Sequence, residues 1–197
     1  MAFQYAVALT GSIATGKSTA AGFLSDLGFD IIDADTIAHR ILDEQHEALT
    51  LLFGEEVVKE GKVNRKAIGA IVFDSESQRK LLEDLLHPLI YERIEGMSTL
   101  LDEKKKPYLV DIPLFFEGHR YPITKSLVVY TPELLQHQRL MHRDNSDFEV
   151  AKKRIDLQIP IEEKRKKADY VIDNSGTLLQ LEHECNRIHE QIIKDFM

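Results

Sequence analysis

The stretch GSIATGKST (Gly11–Thr19) directly follows the apolar run YAVALT (Tyr5–Thr10). It fits the pattern G-x-x-x-x-G-K-[ST], and its fixed positions are Gly11, Gly16, Lys17 and Ser18. The run before the loop is typical of a strand, and the run after it is typical of a helix. A strand, a tight loop and a helix in succession indicate an α/β fold.

The loop has the chemistry of a phosphate-binding site. Gly16 allows backbone N–H groups to approach an oxyanion, and the helix that begins near Lys17 presents roughly half a positive charge to it. Lys17 supplies an ammonium group for the β- and γ-phosphates of a nucleotide, and the Ser18 hydroxyl is suited to Mg²⁺. The alternative is an ordinary glycine turn capped by a helix.

The composition limits the partners of this loop. The chain has 197 residues, a formal net charge of -8 and one cysteine, Cys185. The length suits one domain with insertions, and the acidic balance argues against nucleic acid as a partner. The N-terminal segment resembles neither a signal peptide nor a membrane span. We therefore expect a cytoplasmic protein with a buried thiol and no membrane partner.

Five apolar runs without strict alternation predict strands that are buried on both faces. They are YAVALT, FDIID, YLVDI, SLVVY and YVID. Helical patterns separate them, and the last pattern repeats through Leu178, Leu181, Cys185, Ile188, Ile192 and Phe196. This order predicts a five-stranded parallel sheet with helices on both faces and ligands beyond the carboxyl ends of the strands. The charge runs at 102–106 and 162–167 are expected to be solvated helix faces.

Two segments are longer than the usual connections of such a sheet. Between Asp35 and Tyr108 the chain runs for about seventy residues without a convincing strand. Within a single domain, 1–197, we predict a helical acceptor-binding insertion at approximately 45–104 and a helical lid at approximately 142–167. Because phosphoryl transfer needs water to be excluded, these covers favour a kinase that acts on a small molecule.

Three aspartates follow predicted strands. Asp33 and Asp35 end the second run and are expected to face the phosphate-binding loop, where a carboxylate can orient an acceptor hydroxyl and remove its proton. Asp35 also suits the N-cap of the helix that follows. Asp111 ends the third run and is placed to reach Mg²⁺, although a carboxylate that only caps a loop is an equal alternative.

Arginines follow the fourth strand. Arg139 and Arg143 are spaced to share one helix face, and Arg154 lies on a second helix. A lid would use such guanidinium groups to neutralise a phosphate during its transfer. The alternative is a solvated basic face.

Several segments together resemble the dephospho-CoA kinase family, whose members use ATP to phosphorylate the ribose 3′-hydroxyl of dephospho-CoA. The resemblance runs nearly end to end. It rests on ALTGSIATGKST, IDADTIA at 32–38, LLHPLI at 85–90, DIPLFFE at 111–117, RIDLQ at 154–158 and ADYVIDNSG at 168–176. It implies a P-loop NTPase fold of the nucleoside-kinase type, with ATP as phosphoryl donor, Mg²⁺ as cofactor and dephospho-CoA as substrate.

The resemblance also implies residue roles. Asp35 would be the base on the 3′-hydroxyl with Asp33 nearby, and Lys17 and Arg154 would complete the catalytic set. His87 and Pro88 would bind the acceptor together with Asp35, and Ser18 and Asp111 would hold the metal. ATP would be bound by Gly11, Ala14, Thr15, Gly16, Lys17, Ser18, Thr19, Arg143, Asn174, Ser175 and Gly176, of which the last three lie near the adenine.

The chain departs from the family pattern in three places. Ser12 and Ala14 replace glycines that are common in the loop, and we expect the loop to be built without positive φ at these positions. His39 stands where the family has arginine, with Arg40 one step later, and this puts an acceptor contact of that arginine in doubt.

Other classes of phosphate-loop protein fit less well. A GTPase switch would carry a guanine-reading motif such as N-K-x-D, and none is present. A mechanical ATPase would have a catalytic glutamate beside Asp111, where Ile112 stands. Another small-molecule or nucleoside kinase stays open as the alternative function, and the sequence does not indicate an oligomeric state.

Overall fold

A computed structural model describes residues 2–59, 61–118 and 120–197 and confirms the α/β class. The strands are β1 (Ala6–Gly11), β2 (Ile31–Asp33), β3 (Val58–Lys59), β4 (Lys62–Val63), β5 (Tyr108–Asp111), β6 (Lys125–Tyr130) and β7 (Tyr170–Asp173). The α-helices are α1 (Lys17–Asp26), α2 (Ala34–Glu44), α3 (His46–Phe53), α4 (Arg65–Asp74), α5 (Glu76–Asp102), α6 (Phe115–Gly118), α7 (Glu133–Asp144), α8 (Phe148–Asp156), α9 (Ile161–Lys167) and α10 (Leu178–Phe196).

The predicted five-stranded parallel sheet is confirmed, and its strand order is β2-β5-β1-β6-β7. β1 lies at its centre, between β5 and β6, and all its residues are buried. Continuous apolar strands are required there because helices cover both faces. Since the strands are parallel, the loops that follow β1, β5, β6 and β7 leave from the same edge of the sheet.

The main core lies between the sheet and helices α1 and α10. It contains Leu24 of α1, Val7 and Leu9 of β1, and Cys185 and Ile188 of α10, all buried. The predicted buried thiol is confirmed, and burial raises the pKa of Cys185 to about 11. Consequently the thiol stays protonated and unreactive near neutral pH.

The helical repeat at the C-terminus is confirmed except at its first position. The side chain of Leu178 is 62% exposed, because α10 begins at this residue and the helix has not yet met the sheet. Thr177 and Gln180 form a capping box that starts the helix. The periodic contact with the core therefore begins at Leu181.

The chain divides into two compact units, residues 1–32 with 97–197, and residues 33–96. The second unit contains α2, α3, α4 and most of α5, and its core is formed by Leu49, Phe53, Val57 and Ile68. It also contains the antiparallel hairpin of β3 and β4, which the sequence did not predict because each strand has only two residues. The acceptor-binding role of the insertion and the lid role of 142–167 stay predictions.

The two charge runs are not both solvated helix faces. In the run 102–106, α5 ends at Asp102, whose carboxylate accepts the backbone N–H groups of Gln4 at 3.1 Å and Tyr5 at 2.9 Å. In the run 162–167, Lys164 is completely buried. The expectation of a solvated face is therefore wrong at these positions, because charge alone does not report which side of a helix meets the core.

Within the described residues, no helix combines the length and the apolar character that crossing a membrane requires.

Candidate active site

The loop between β1 and α1 leaves backbone donors without protein acceptors. Among the described residues, no acceptor takes the N–H groups of Gly16, Lys17 and Ser18, which open α1. The N-terminus of a helix always has such orphan donors, and its dipole adds positive potential. A group of unpaired N–H donors beside a lysine is a site for an anion, and for phosphate in particular.

Two glycines of the loop are required by geometry. A Cβ atom at Gly11 would lie 2.7 Å from Thr15 Oγ1 and 3.1 Å from the Val129 carbonyl oxygen. Gly16 has a φ of 83°, and a Cβ there would overlap the side-chain amide of Asn174. Both positions therefore exclude larger residues.

The expectation that the loop avoids positive φ is wrong at Ala14, whose φ is 62°. A left-handed alanine costs roughly 1–2 kcal/mol. Its methyl group packs beside Leu140, Ala151 and Ile155, so contacts with α7 and α8 offset part of that cost. The loop thus keeps its backbone path although it lacks a glycine at this position.

Side chains from neighbouring elements hold the carbonyl groups of the loop. The Thr15 carbonyl accepts the Asn174 amide at 2.8 Å and lies 3.1 Å from the Thr131 hydroxyl. Arg139 donates to Thr131 Oγ1 and, at 2.9 Å, to the Asn174 carbonyl. Because the Thr15 carbonyl is bonded to residues outside the loop, the N–H groups that follow it can face a ligand.

Lys17 and Asp111 meet at the carboxyl ends of β1 and β5. The Lys17 ammonium forms an ion pair with the Asp111 carboxylate, and both side chains are largely buried. Ser18, one residue further along α1, is exposed. The structure thus places the predicted lysine and carboxylate together beside the loop.

The aspartates after β2 have separate positions on α2. Asp33 is the N-cap, and its carboxylate accepts the Thr36 N–H at 2.8 Å. Asp35 lies in the first turn and is exposed, so the N-cap alternative for Asp35 is wrong. Among the described residues, none forms a hydrogen bond or an ion pair with the Asp35 carboxylate, which is therefore available to a ligand.

Arg143 and Arg154 share one partner, Asp144. Arg143 Nε donates to Asp144 Oδ1 at 2.7 Å, and Arg154 forms an ion pair with the other carboxylate oxygen. The hydrogen bond from Arg143 and the contact with Arg154 lower the pKa of Asp144 to about 2. The stabilisation from these contacts is therefore present above the ordinary aspartate pKa and is lost only as the pH falls towards 2.

Arg139 and Arg143 have different partners, although the two were predicted to share a helix face. Its guanidinium contacts Thr131 and Asn174 beside the loop, whereas Arg143 lies at the exposed end of α7. The four-residue spacing places both on one side of α7, but only the first is close enough to the loop to support it.

The segment that follows β7, residues 174–176, lies beside the phosphate-binding loop. Asn174 is buried and committed to Thr15, while Ser175 and Gly176 are exposed. Ser175 donates its N–H to Asp173 Oδ1 at 2.9 Å, which fixes the turn into α10. In the second unit, His87 and the exposed Pro88 lie within α5, where the proline sits inside the helix.

The family of this chain follows from comparison with known proteins. The sequence profile of the dephospho-CoA kinase family matches residues 5–180. The chain belongs to the dephospho-CoA kinase family. The dephospho-CoA kinase of Sulfurimonas denitrificans is 47% identical over 192 residues, which are 98% of this chain and 96% of that protein. The Wolinella succinogenes enzyme is 45% identical over 195 residues, which are 98% of this chain and 97% of the relative.

Solved structures agree with this family. Dephospho-CoA kinase from Campylobacter jejuni superposes with a TM-score of 0.73 at 40% identity, over 96% of this chain and 98% of that chain. Shikimate kinase from Acinetobacter baumannii superposes with a TM-score of 0.53 at 16% identity, over 96% and 93% of the two chains. The second likeness shows the P-loop kinase fold alone.

Sequence reasoning missed three contacts around the loop. Thr131 contacts the loop carbonyl of Thr15, Gln158 accepts the Ile13 N–H at 2.9 Å, and Lys164 donates to the Gly11 carbonyl at 2.9 Å. For Lys164 a signal was present: it follows the apolar Ile161 by three residues, which places both on one side of a short helix. For the other two, polar side chains in loops carry no pattern that reports their partner.

We predict opposite effects for the same substitution at two glycines of this region. Gly16→Ala forces a side chain into the left-handed region and against Asn174, so it should lower stability by about 2 kcal/mol or more and weaken ADP binding. Gly22→Ala, in the exposed middle of α1 with nothing near its Cβ, should raise stability by roughly 0.5–1 kcal/mol. Urea unfolding with and without ADP measures both. Equal effects at the two sites would contradict this account of the loop.

Proposed function

We propose that this chain transfers the γ-phosphoryl group of ATP to the ribose 3′-hydroxyl of dephospho-CoA and so forms coenzyme A. The observation that carries this proposal is the set of unpaired N–H groups at Gly16–Ser18 beside Lys17, in a chain of the dephospho-CoA kinase family. These donors suit the phosphates of a nucleotide. The relatives in the family are named dephospho-CoA kinase.

On the donor side, the loop would hold the β- and γ-phosphates. Backbone N–H groups of Gly16, Lys17 and Ser18 donate to phosphate oxygens, and the Lys17 ammonium adds a mobile positive charge. Thr15 and Thr19 flank these donors, and the exposed backbone of Ser175 and Gly176 would lie beside the adenine. The donors are fixed before ATP arrives, so little reorganisation is needed when charge develops on the transferred group.

Ser18 and Asp111 are the residues that would hold Mg²⁺. They offer a hydroxyl and a carboxylate, which are hard oxygen ligands, and Mg²⁺ in kinases takes its other ligands from water and substrate phosphates. Within the described residues, no cluster of three or more metal-ligating side chains provides a closed cage, and this agrees with an ion that arrives with the nucleotide. When bound, the ion would neutralise charge on the phosphates.

On the acceptor side, Asp35 would accept the proton of the 3′-hydroxyl as its oxygen attacks the γ-phosphorus. The carboxylate is exposed and is not used as a helix cap, because Asp33 has that role. Asp33 would therefore contribute by capping α2, the helix that carries Asp35. His87 and Pro88 are proposed to contact the rest of dephospho-CoA.

Arg143 and Arg154 would neutralise the phosphates when the lid closes. Both guanidinium groups are held by Asp144, so they are already grouped on one side of α7 and α8. Charge neutralisation by arginine is a large term in phosphoryl transfer. We also propose a cytoplasmic location, which the single buried thiol favours.

A different acceptor is the second candidate, because shikimate kinase has the same fold. The two are separated by offering the purified protein ATP and Mg²⁺ with dephospho-CoA, adenosine, shikimate or no acceptor, and by following ADP release. We expect ADP only with dephospho-CoA at a rate well above the rate without acceptor. If dephospho-CoA gives no more ADP than water does, the proposed function is wrong.

Replacing the proposed base tests the mechanism. Asp35→Asn removes the proton acceptor but keeps the shape, so we expect turnover to fall about 10²-fold with little change in the Kd of ATP. The matched control is Asp43→Asn on the same helix, where the carboxylate forms an exposed ion pair with Arg65. Steady-state kinetics and nucleotide titration measure both variants. Unchanged turnover in Asp35→Asn would remove this residue from the mechanism.

Replacing the partner of the two arginines tests the lid. Asp144→Asn frees Arg143 and Arg154 from a competing carboxylate, and since exposed ion pairs are worth up to about 1 kcal/mol, we expect the Kd of ATP to fall about two- to fivefold. Asp156→Asn removes the same charge from α8, where the carboxylate forms an exposed ion pair with Lys152, so it serves as the control. Calorimetric titration gives the affinities. Weaker ATP binding in Asp144→Asn would mean that the carboxylate orients the arginines instead of competing with phosphate.

A further inference from the structure

Helix α9 carries a lysine whose side chain is completely buried. The ammonium of Lys164 lies 2.7 Å from Glu117 Oε1 and donates to the Gly11 carbonyl at 2.9 Å. Removing an ion pair from water costs about as much as its attraction returns, so such a pair is weak support for stability alone. Its contact with the first residue of the phosphate-binding loop suggests a role in placing that loop.

A second contact reaches the loop from the segment just before α9. The side-chain oxygen of Gln158 accepts the Ile13 N–H at 2.9 Å, and the Ile159 N–H donates to Glu117 Oε1 at 3.2 Å. The segment 158–164 therefore forms hydrogen bonds with the loop residues on both sides of Ser12, which are Gly11 and Ile13. We call Gln158, Lys164 and Glu117 the loop brace.

The loop brace is joined to the helix that carries Arg154. Gln158 follows the end of α8 by two positions, and the apolar side of α8, with Ala151 and Ile155, packs beside Ile13 and Ala14 of the loop. The first half of the loop is thus held by hydrogen bonds from 158–164 and by apolar contacts from α8. These contacts connect the position of α8 with that of the loop.

We propose that Lys164 and Gln158 are positioning residues for phosphoryl transfer. They fasten Gly11–Ile13 to the base of α8, so that nucleotide binding at the loop and the placement of Arg154 are coupled. This inference rests on the proposed function, because it assigns Arg154 to the phosphates of ATP. Neither residue touches the reacting atoms.

The test separates positioning from simple stability. Lys164→Met leaves the largely buried Glu117 side chain without its cation, so we expect Tm to fall by about 10 °C. The double variant Lys164→Met/Glu117→Gln removes both charges, and the new amide oxygen still accepts the Ile159 N–H, so most of that loss should be recovered. The matched control is Lys166→Met, which removes an exposed charge from the same helix.

We expect the double variant to keep a kcat about tenfold below that of the parent chain although its Tm recovers. The KM for dephospho-CoA should stay within about twofold, because the brace acts on the donor side. Lys166→Met should match the parent chain in both constants. Recovery of kcat together with Tm would show that Lys164 is only structural and would overturn the proposal.

Hydrogen exchange supplies a readout that does not depend on the acceptor. In the parent chain, ADP should slow amide exchange over 148–157 as well as in the loop, and in the double variant the slowing over 148–157 should fall by at least half. No ADP-dependent protection over 148–157 in the parent chain would overturn the coupling. If the coupling is seen but dephospho-CoA is not phosphorylated, the proposed function fails and the brace remains.

A variant at the other end of the brace covers the case in which the double variant does not fold. Gln158→Met removes the acceptor of the Ile13 N–H at a half-buried position. Introduced into the parent chain, Gln158→Met should lower kcat about fivefold. Introduced into a chain that already carries Arg154→Ala, it should lower kcat less than twofold, because the brace acts through that arginine. Equal losses in both backgrounds would contradict the coupling.

Discussion

The phosphate-binding loop works only if its carbonyl groups point away from the ligand and are bonded there. A loop with unsatisfied carbonyls would turn them towards any available donor and would lose the array of N–H groups at the start of α1. In this chain the carbonyl of Thr15 is held by Asn174 and Thr131, and that of Gly11 by Lys164. The partners come from the ends of β6 and β7 and from α9, so the order of the sheet decides whether the loop can bind phosphate.

The need to hold these carbonyl groups explains where the chain tolerates energetically unfavourable features. Ala14 adopts a left-handed backbone, and Lys164 is a charged group without access to water. Each is unfavourable in isolation, and each is compensated only by neighbours that are fixed by the fold, the apolar side of α8 in one case and Glu117 in the other. Strained backbone and buried charges are found at sites where the position of a functional group matters more than the stability of the fold.

The parts of the fold that follow local rules were predictable from sequence. β1 and β6 are continuous apolar runs, and α10 repeats its apolar residues with the period of a helix, so their type and approximate bounds follow from pattern. The phosphate-binding loop has fixed spacing and was equally visible. The strand order was not predictable in this way, because it depends on which runs meet after the chain has folded.

The candidate site was predictable in its chemistry but less in its arrangement. Asp111 was expected beside the phosphate-binding loop that carries Lys17, and the two side chains form an ion pair. The N-cap of α2 proved to be Asp33 instead of Asp35, since helix starts shift by a residue or two without changing the pattern. Lys164 was missed because it was read as part of a charge run, although its spacing from the apolar Ile161 places both residues on the buried side of α9.

The central claim is that this site delivers phosphate to one hydroxyl group of dephospho-CoA. The most direct measurement is phosphorus NMR, with mass spectrometry, of the product formed from ATP, Mg²⁺ and dephospho-CoA. The account predicts a product that is heavier by one phosphate, with a new phosphomonoester signal coupled to the proton at the ribose 3′ carbon. Phosphate attached at another position, or ADP and free phosphate without a phosphorylated acceptor, would contradict it.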